Sequence, residues 1–227
     1  MTRLVRVVLI DSGVHAAHPH VGGVSGGVGI DSAGELHADF VDRLGHGTAV
    51  AAVVREKAPA AEILVAKVFD RELAATGPAL VSACEWALQQ RADVVNLSLG
   101  TTNTQHEGAL ASVVSRLRES GAAIIAAGPQ DGVAWLPGSL PRVWSVTLDW
   151  ALPREHCRVV VSPAREVSFA ASGFPRPIPG VPPEKNLKGL SFAVANVSGL
   201  VAELLATGEG ADPVDVLTRA VSSGWMG

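Results

Sequence analysis

Three short segments of the chain supply an aspartate, a histidine and a serine, in that order and each close to a glycine. They are Val-Val-Leu-Ile-Asp11-Ser-Gly, Gly45-His46-Gly-Thr and Gly189-Leu-Ser191-Phe-Ala. A carboxylate that orients an imidazole, which in turn takes the proton from a serine hydroxyl, makes that hydroxyl a nucleophile. The order Asp, His, Ser is one of several that reach this geometry on unrelated folds. The three segments together predict nucleophilic catalysis by Ser191.

Each of the three residues also has an ordinary structural interpretation. Asp11 follows an apolar run and is typical of a residue that starts a turn. His46 is one of seven histidines and lies in a predicted loop before a helix. Ser191 precedes an apolar helical pattern, where serine is a common N-cap. The catalytic prediction therefore depends on the combination and its order.

The elements that must position these residues alternate between strands and helices. The predicted strands are Val5–Ile10, Ile63–Val68, Asp93–Leu99, Ala122–Ala127 and Val143–Leu148, with shorter candidates at Arg158–Val161 and Glu166–Ala170. The predicted helices are Gly47–Arg55, Gly77–Gln89, Glu107–Ser120, Ser191–Ala206 and 213–222. Residues 12–42 are predicted as a loop with at most short strands, and 174–183 as a surface loop. This alternation indicates a three-layer α/β fold, a mostly parallel sheet with helices on both faces. Ligands of such sheets bind at the carboxyl ends of strands, where Asp11 lies.

Length and composition limit the classes of protein that remain. The 227 residues, of which 48% are hydrophobic, predict a single domain over residues 1–227. A net charge of -4 without a basic block predicts neither a nucleic-acid partner nor a membrane partner, and we find no apolar run that spans a bilayer. Arg6 interrupts the first apolar run, whereas the apolar region of a signal peptide is continuous. The two cysteines do not form a disulfide framework. We therefore expect a cytoplasmic protein.

The chain resembles the subtilisin-like serine peptidases, the subtilase family, in a compact form with shortened loops. Besides the three segments, the resemblance depends on His18-Pro19, Val65-Ala-Lys67-Val, Glu85-Trp86-Ala87, Asp93-Val-Val-Asn-Leu-Ser-Leu-Gly100, Ala126-Ala-Gly128 and Pro137-Gly138 with Pro141. It implies that Asp11, His46 and Ser191 form the catalytic triad, with His46 as general base and then general acid. It also implies substrate-binding segments that pair with or border an extended peptide, namely Ser98, Leu99, Gly100, Ala127 and Gly128.

The chain departs from the family where the negative charge of the reaction intermediate must be stabilised. In the family an asparagine side chain donates to this oxyanion, but Pro129 occupies that position and has no donor. The loss of one such donor costs on the order of 100- to 1000-fold in turnover. The backbone N–H of Ser191 remains, and Gln130 carries an amide that would reach the oxyanion unless it is a solvated loop residue. Asn196 and Asn103 are more distant candidates.

A second departure concerns metal ions. The family's calcium site uses an aspartate after His-Pro and an inserted loop, but this chain has His20 there and runs from Val54 directly to Ala58-Pro59. His15, His18 and His20 lack a fourth ligand at the spacing of a zinc site. We therefore expect no essential metal and no other cofactor.

A third departure concerns the pocket for the residue before the scissile bond. By the register of Pro137 and Pro141, Ala134–Leu136 lie where the family has the base of this pocket, so Trp135 is expected to fill it. A filled pocket predicts a preference for a small residue before the cut. The alternative is that Trp135 packs outward or into the core. Leu190 and Ala195 replace a threonine and a proline of the family, and both are expected to shift the serine slightly.

These observations predict a serine endopeptidase that acts through an acyl-enzyme on a specific peptide or precursor, such as removal of a leader from a modified peptide. Because no pro-region precedes the first strand in this sequence, we expect narrow specificity or a regulatory protein partner to restrain it. The first alternative is a catalytically weak or inactive scaffold that binds peptides or a protein partner. A second is an esterase or transpeptidase that uses the same triad.

Overall fold

The computed structural model describes residues 3–70, 72–129, 132–161, 163–208 and 212–215. These residues form nine strands: β1 (Arg6–Asp11), β2 (Gly26–Ile30), β3 (Leu36–His37), β4 (Glu62–Lys67), β5 (Val94–Leu97), β6 (Ala123–Ala127), β7 (Trp144–Leu148), β8 (Cys157–Val161) and β9 (Val167–Ala171). They also form four α-helices: α1 (His46–Lys57), α2 (Gly77–Gln89), α3 (Glu107–Glu119) and α4 (Leu190–Thr207). The predicted three-layer α/β fold is confirmed.

All nine strands belong to one sheet with the order β3-β2-β4-β1-β5-β6-β7-β9-β8. Pairing is parallel except at the two edges, where β3 lies antiparallel to β2 and β8 lies antiparallel to β9. The central strands β5 and β6 are buried along their whole length, because helices cover both faces of the sheet. Such double burial explains why these strands are continuous apolar runs in the sequence.

Two hydrophobic cores lie on opposite faces of the sheet. One core contains the buried residues of α1 and α4, including Val50, Phe192 and Val201. The other contains the buried residues of α2 and α3, including Leu80 and Leu110. The two helices α1 and α4, which carry His46 and Ser191, therefore pack on the same face.

Both helices begin next to a glycine with a positive φ. Gly45 precedes His46 with φ 78°, and Gly189 precedes Leu190 and Ser191 with φ 148°. Residues with a Cβ rarely adopt these backbone conformations, so glycine permits the abrupt entry into each helix. The histidine and the serine consequently lie in the first turns of α1 and α4.

By length and composition alone, α4 would suffice to cross a bilayer, which the sequence analysis did not anticipate. Its 18 residues have a mean hydropathy of 1.6. However, 67% of this window is buried inside the fold, because the helix packs against α1 and the sheet. An all-round apolar helix of this kind is typical of a protein core.

Between residues 12 and 42 the sequence predicts a loop with at most short strands, and the structure has the two short strands β2 and β3 there. Three of the five residues of β2 are glycines, so the segment has no apolar pattern that marks a strand. Of the final helix predicted over 213–222, only 213–215 are described, and these three are helical; the remainder lies outside the described residues.

Candidate active site

The ends of β1 and α1 bring Asp11 and His46 into direct contact. Nδ1 of His46 donates a hydrogen bond of 2.7 Å to Oδ1 of Asp11. Asp11 is fully buried and the His46 side chain is 13% exposed. A carboxylate acceptor places the ring proton on Nδ1, which leaves Nε2 as the basic nitrogen.

The surroundings of His46 alter its affinity for a proton. Burial of the imidazole lowers its pKa, because charge is disfavoured away from water. The hydrogen bond to Asp11, the charge of Asp11 and the charge of Asp42 outweigh this effect, so the pKa of His46 is raised above its ordinary value. The site therefore favours the imidazolium, which is the form that a general base becomes when it accepts a proton.

Ser191 and His46 line the same cleft, whose volume is about 360 Å³. The hydroxyl of Ser191 donates to the backbone carbonyl of Ser98 at 3.0 Å. Among the hydrogen bonds of these described residues, none joins Ser191 Oγ to His46. The predicted nucleophile and base thus line one cleft, and another acceptor holds the serine hydroxyl. Catalytic hydrogen bonds are often long or poorly aligned in unliganded sites.

A buried polar network that the sequence analysis missed lies beneath Ser191. The Ser198 hydroxyl donates to Asn96 Oδ1 (3.0 Å), and Asn96 Nδ2 donates to Ser98 Oγ (2.9 Å). The Ser98 hydroxyl in turn donates to the carbonyl of Ser191 (3.2 Å). The only sequence signal for this network is a polar residue, Asn96, within an otherwise apolar strand.

The predicted substrate segments divide into those that reach the cleft and those that do not. Ser98, Leu99, Gly100 and Trp135 line it together with Ser191. Ala127 and Gly128 are absent from the lining, and the Gly128 N–H is bonded to Val146 of β7 (2.8 Å).

Trp135 forms a wall of the cleft. Its chain neighbour Leu136 forms two hydrogen bonds of 2.8 Å with Thr101, which pair the segment of Trp135 with the segment that follows Gly100. A Cβ atom added at Gly100 would lie 3.2 Å from Trp135 Cε3, so the indole packs closely against this glycine. The indole is half-buried and occupies space next to the predicted peptide-binding segment.

Among the described residues, none of the predicted candidates replaces the side-chain donor of the family's asparagine. Pro129 is exposed and lacks any N–H, and Gln130 lies outside the described residues. The side-chain amide of Asn196 donates to the carbonyls of Ser172 (3.0 Å) and Phe174 (3.1 Å), so this candidate is engaged elsewhere.

Asn103 is also engaged elsewhere, because its Nδ2, the atom that could donate to an oxyanion, lies 3.5 Å from His106 Nε2 and its Oδ1 accepts from the Gln105 N–H (3.0 Å). The Ser191 backbone N–H, in the part of the chain that the structure describes, has no acceptor among the hydrogen bonds recorded.

Other reactive side chains do not form a second centre among the described residues. No group of three or more His, Cys, Asp or Glu residues in this part of the chain has the geometry of a metal site. His15, His18 and His20 line a separate pocket of about 340 Å³. Burial raises the pKa of Cys84 and of Cys157 to about 12, with a smaller contribution from Glu85 at Cys84, so neither thiol is a ready nucleophile.

A larger cavity of about 640 Å³ adjoins the cleft at Phe69 and Ala74. Its walls carry ion pairs, among them Lys67 with Asp70 at 3.0 Å and Arg43 with Asp39 at 2.7 Å. Its lining includes Ser32 and His37, but no hydrogen bond joins these two side chains among the described residues. Size alone therefore does not identify the reactive cleft, and the contact between Asp11 and His46 does.

Comparison with known proteins extends these observations to a family. Residues 3–146 match the model of the Subtilase family, a range that includes Asp11 and His46 and ends before Ser191. The chain is 29% identical over 180 residues to the minor extracellular protease Epr of Bacillus subtilis (strain 168), covering 74% of this chain and 27% of Epr. It is 28% identical over 225 residues to subtilisin E of the same organism, covering 89% of this chain and 55% of subtilisin E. The chain thus spans about half the length, or less, of these curated relatives.

A solved structure with the same architecture is that of the prenylagaramide maturation protease PagA. It has a TM-score of 0.68 and 25% sequence identity, and the match covers 96% of this chain and 82% of that chain. The likeness extends over nearly the whole sheet and its helices, including the C-terminal part that the family model does not match.

Proposed function

The chain belongs to the subtilase family, and we propose that it is a serine endopeptidase that processes a specific peptide or precursor protein. The observation that carries the proposal is the Asp11–His46 hydrogen bond of 2.7 Å in a cleft that also contains Ser191. Asp11 fixes the ring tautomer and stabilises the imidazolium, and His46 Nε2 is the base. Each residue has the role that its position in the family motif implies.

The proposed reaction begins when the Ser191 hydroxyl leaves the Ser98 carbonyl and turns towards His46. His46 accepts the proton as Ser191 Oγ attacks the peptide carbonyl, and it then gives the proton to the departing amine. The resulting acyl-enzyme is hydrolysed by a water molecule from which His46 removes a proton. The Ser191 N–H stabilises the oxyanion at each tetrahedral intermediate, since it lies in the first turn of α4 without another acceptor.

The proposed specificity follows from the wall that Trp135 forms beside Gly100. An indole in this position limits the side chain that fits before the scissile bond to glycine, alanine or another small residue. The likeness to PagA, described as a maturation protease, supports action on a precursor peptide rather than general protein degradation. Leader removal from a modified peptide is the process of this kind that we propose.

One observation favours a second candidate function. Pro129 occupies the position of the family's oxyanion donor, and the loss of one such donor weakens the stabilisation of the transition state. The second candidate is therefore a weakly active or inactive scaffold that binds peptides or a protein partner in the same cleft.

Incubation with a random peptide library, with products identified by mass spectrometry, separates the two functions. The proposed peptidase yields new termini after small residues, and these disappear in Ser191→Ala. An added amine distinguishes hydrolysis from transpeptidation by the mass of the product. A folded wild-type protein that retains peptides without cleaving them would establish the scaffold instead.

A further inference from the structure

Asp42 lies in the loop that leads into α1, and hydrogen bonds occupy both oxygens of its carboxylate. Oδ1 accepts from the Ser12 hydroxyl and from the N–H groups of Leu44 and Gly45, each at 2.9 Å. Oδ2 accepts from the N–H of Thr48 (2.8 Å) and from its hydroxyl (2.6 Å). Five donors on one carboxylate make Asp42 the centre of this loop, although the sequence analysis assigned no role to it.

These hydrogen bonds connect the chain on both sides of His46 to the end of β1, where Asp11 lies. Gly45 and Thr48, which flank the histidine, both donate to Asp42. Ser12 Oγ, which donates to Asp42, also accepts from Gly47 N–H at 2.9 Å. Because Ser12 is the chain neighbour of Asp11 and its N–H donates to Asp11 Oδ1 (2.7 Å), the two loops form one connected unit.

Asp42 is also one of the two carboxylates whose charge acts on His46. The other is Asp11 on β1; both oppose the effect of burial, which by itself lowers the pKa of the imidazole. The other described residues that line the cleft are uncharged: Phe69, Leu73, Ala74, Ala75, Ser98, Leu99, Gly100, Thr101, Trp135 and Ser191. The titratable and charged side chains of the pocket that Asp42 also lines are His15, His18, His20 and Arg176.

The hydrogen bonds keep Asp42 ionised. Its partial burial raises the pKa of the carboxyl, but the hydroxyl and N–H of Thr48, with the Leu44 N–H and the Ser12 hydroxyl, outweigh burial and lower it. A carboxylate with this donor set is an anion at neutral pH. It is therefore a fixed negative charge held by the same bonds that hold the loop.

We propose that Asp42 is a positioning residue for His46, which fixes the imidazole relative to Asp11 and supplies a second negative charge that stabilises the imidazolium. The proposal concerns the same site as the proposed peptidase function and depends on it for its catalytic meaning. The effect of Asp42 on the protonation of His46 does not itself require that the chain cleaves peptides.

The first test measures the His46 titration by NMR in a Ser191→Ala background, which needs no enzymatic activity. Asp42→Asn is expected to lower the pKa of His46, because it removes a negative charge while nearly preserving the shape of the side chain. The matched control is Asp39→Asn, which removes the same charge from the same loop, where Asp39 pairs with Arg43 on the surface. If the pKa of His46 is the same in Asp42→Asn as in Asp39→Asn, the proposal is wrong.

Ser12→Ala separates geometry from charge and serves also if Asp42→Asn fails to fold. It deletes the hydroxyl that joins Asp42 to Gly47 but keeps both carboxylates. We expect kcat to fall by about 10- to 100-fold, with little change in KM and no shift of the acid limb of the kcat/KM profile towards lower pH. Unchanged kcat in Ser12→Ala contradicts the positioning role. If the wild-type protein cleaves no peptide but Asp42→Asn still lowers the pKa of His46, the peptidase function is refuted and the effect of Asp42 on His46 is retained.

Discussion

Ser191 and Ser98 hold each other by two reciprocal hydrogen bonds. The Ser191 hydroxyl donates to the Ser98 carbonyl at 3.0 Å, and the Ser98 hydroxyl donates to the Ser191 carbonyl at 3.2 Å. The nucleophile is therefore fixed to the end of β5 through its backbone as well as its side chain. Its hydroxyl must exchange the Ser98 carbonyl for His46 before it can attack.

The network beneath this pair is expected to stabilise the fold. Asn96→Ala would remove the acceptor of the buried Ser198 hydroxyl, and it would remove one of the two bonds of Ser98 Oγ, which keeps its bond to the Ser191 carbonyl. A buried polar group left without a partner costs about 1–3 kcal/mol, so the free energy of unfolding should fall by at least this amount in urea titrations. Asn103→Ala, at an exposed turn, is the matched control and should change the unfolding free energy much less. Equal stability of the two variants would contradict the role assigned to the network.

The raised pKa of His46 predicts the pH dependence of the reaction. Burial alone would lower this pKa, but Asp11 and Asp42 raise it above 6.5. A general base must be neutral, so kcat/KM should fall as the pH drops through a midpoint above 6.5. Asp11→Asn should move that midpoint to lower pH, because the imidazolium loses its main partner, and should reduce kcat by about 10⁴-fold.

Rates measured across a series of buffers from acid to alkaline pH would check both effects. A midpoint below that of free histidine in the wild type would show that burial, and not the carboxylates, controls the imidazole.

The missing oxyanion donor can be restored by substitution. Pro129→Asn returns the side chain that the family uses, and we expect kcat to rise by up to about 100-fold with KM little changed. Pro129→Ala is the control for the loss of the proline ring, since it offers no side-chain donor. If the two variants have the same kcat, the hole already contains a second donor. A Gln130→Ala variant that loses about 100-fold would then identify that donor.

Trp135 is expected to control the residue accepted before the cut. Trp135→Ala should remove the wall beside Gly100 and increase kcat/KM for peptides with Leu or Phe at that position by at least about 10-fold relative to Ala. Trp150→Ala deletes a tryptophan that is 47% exposed and packs on Phe174, so it controls for loss of an indole elsewhere. A strong preference of the wild type for Phe or Leu would show that Trp135 does not fill the pocket.

Much of the architecture could be predicted from the sequence, because buried strands and amphipathic helices leave clear periodic patterns. The helix Gly77–Gln89 was predicted with its observed bounds, and the other central elements differ by a few residues. The glycines that make up most of β2 carry no such pattern, so the sequence predicts at most short strands in this region and does not give their bounds. Its position depends on pairing with β4, which is a property of the folded sheet.

The candidate site could be predicted only where a motif marks it. Asp11, His46 and Ser191 each lie within two residues of a glycine in a recognisable segment, and the structure brings the first two into contact. Ser198 has no local signal, because its partner lies 102 residues away in sequence, and the bond from Ser12 to Asp42 likewise spans 30 residues. Long-range hydrogen bonds of this kind are visible only after the chain has folded.

The central claim is that Ser191 is a nucleophile activated by His46, and a fluorophosphonate probe measures this most directly. The probe phosphonylates an activated serine, and intact-mass spectrometry counts the adducts. We predict one adduct on the wild-type protein, none on Ser191→Ala, and a greatly slowed reaction of His46→Ala. Failure of the folded wild-type protein to react, or an adduct that persists in Ser191→Ala, would contradict the account.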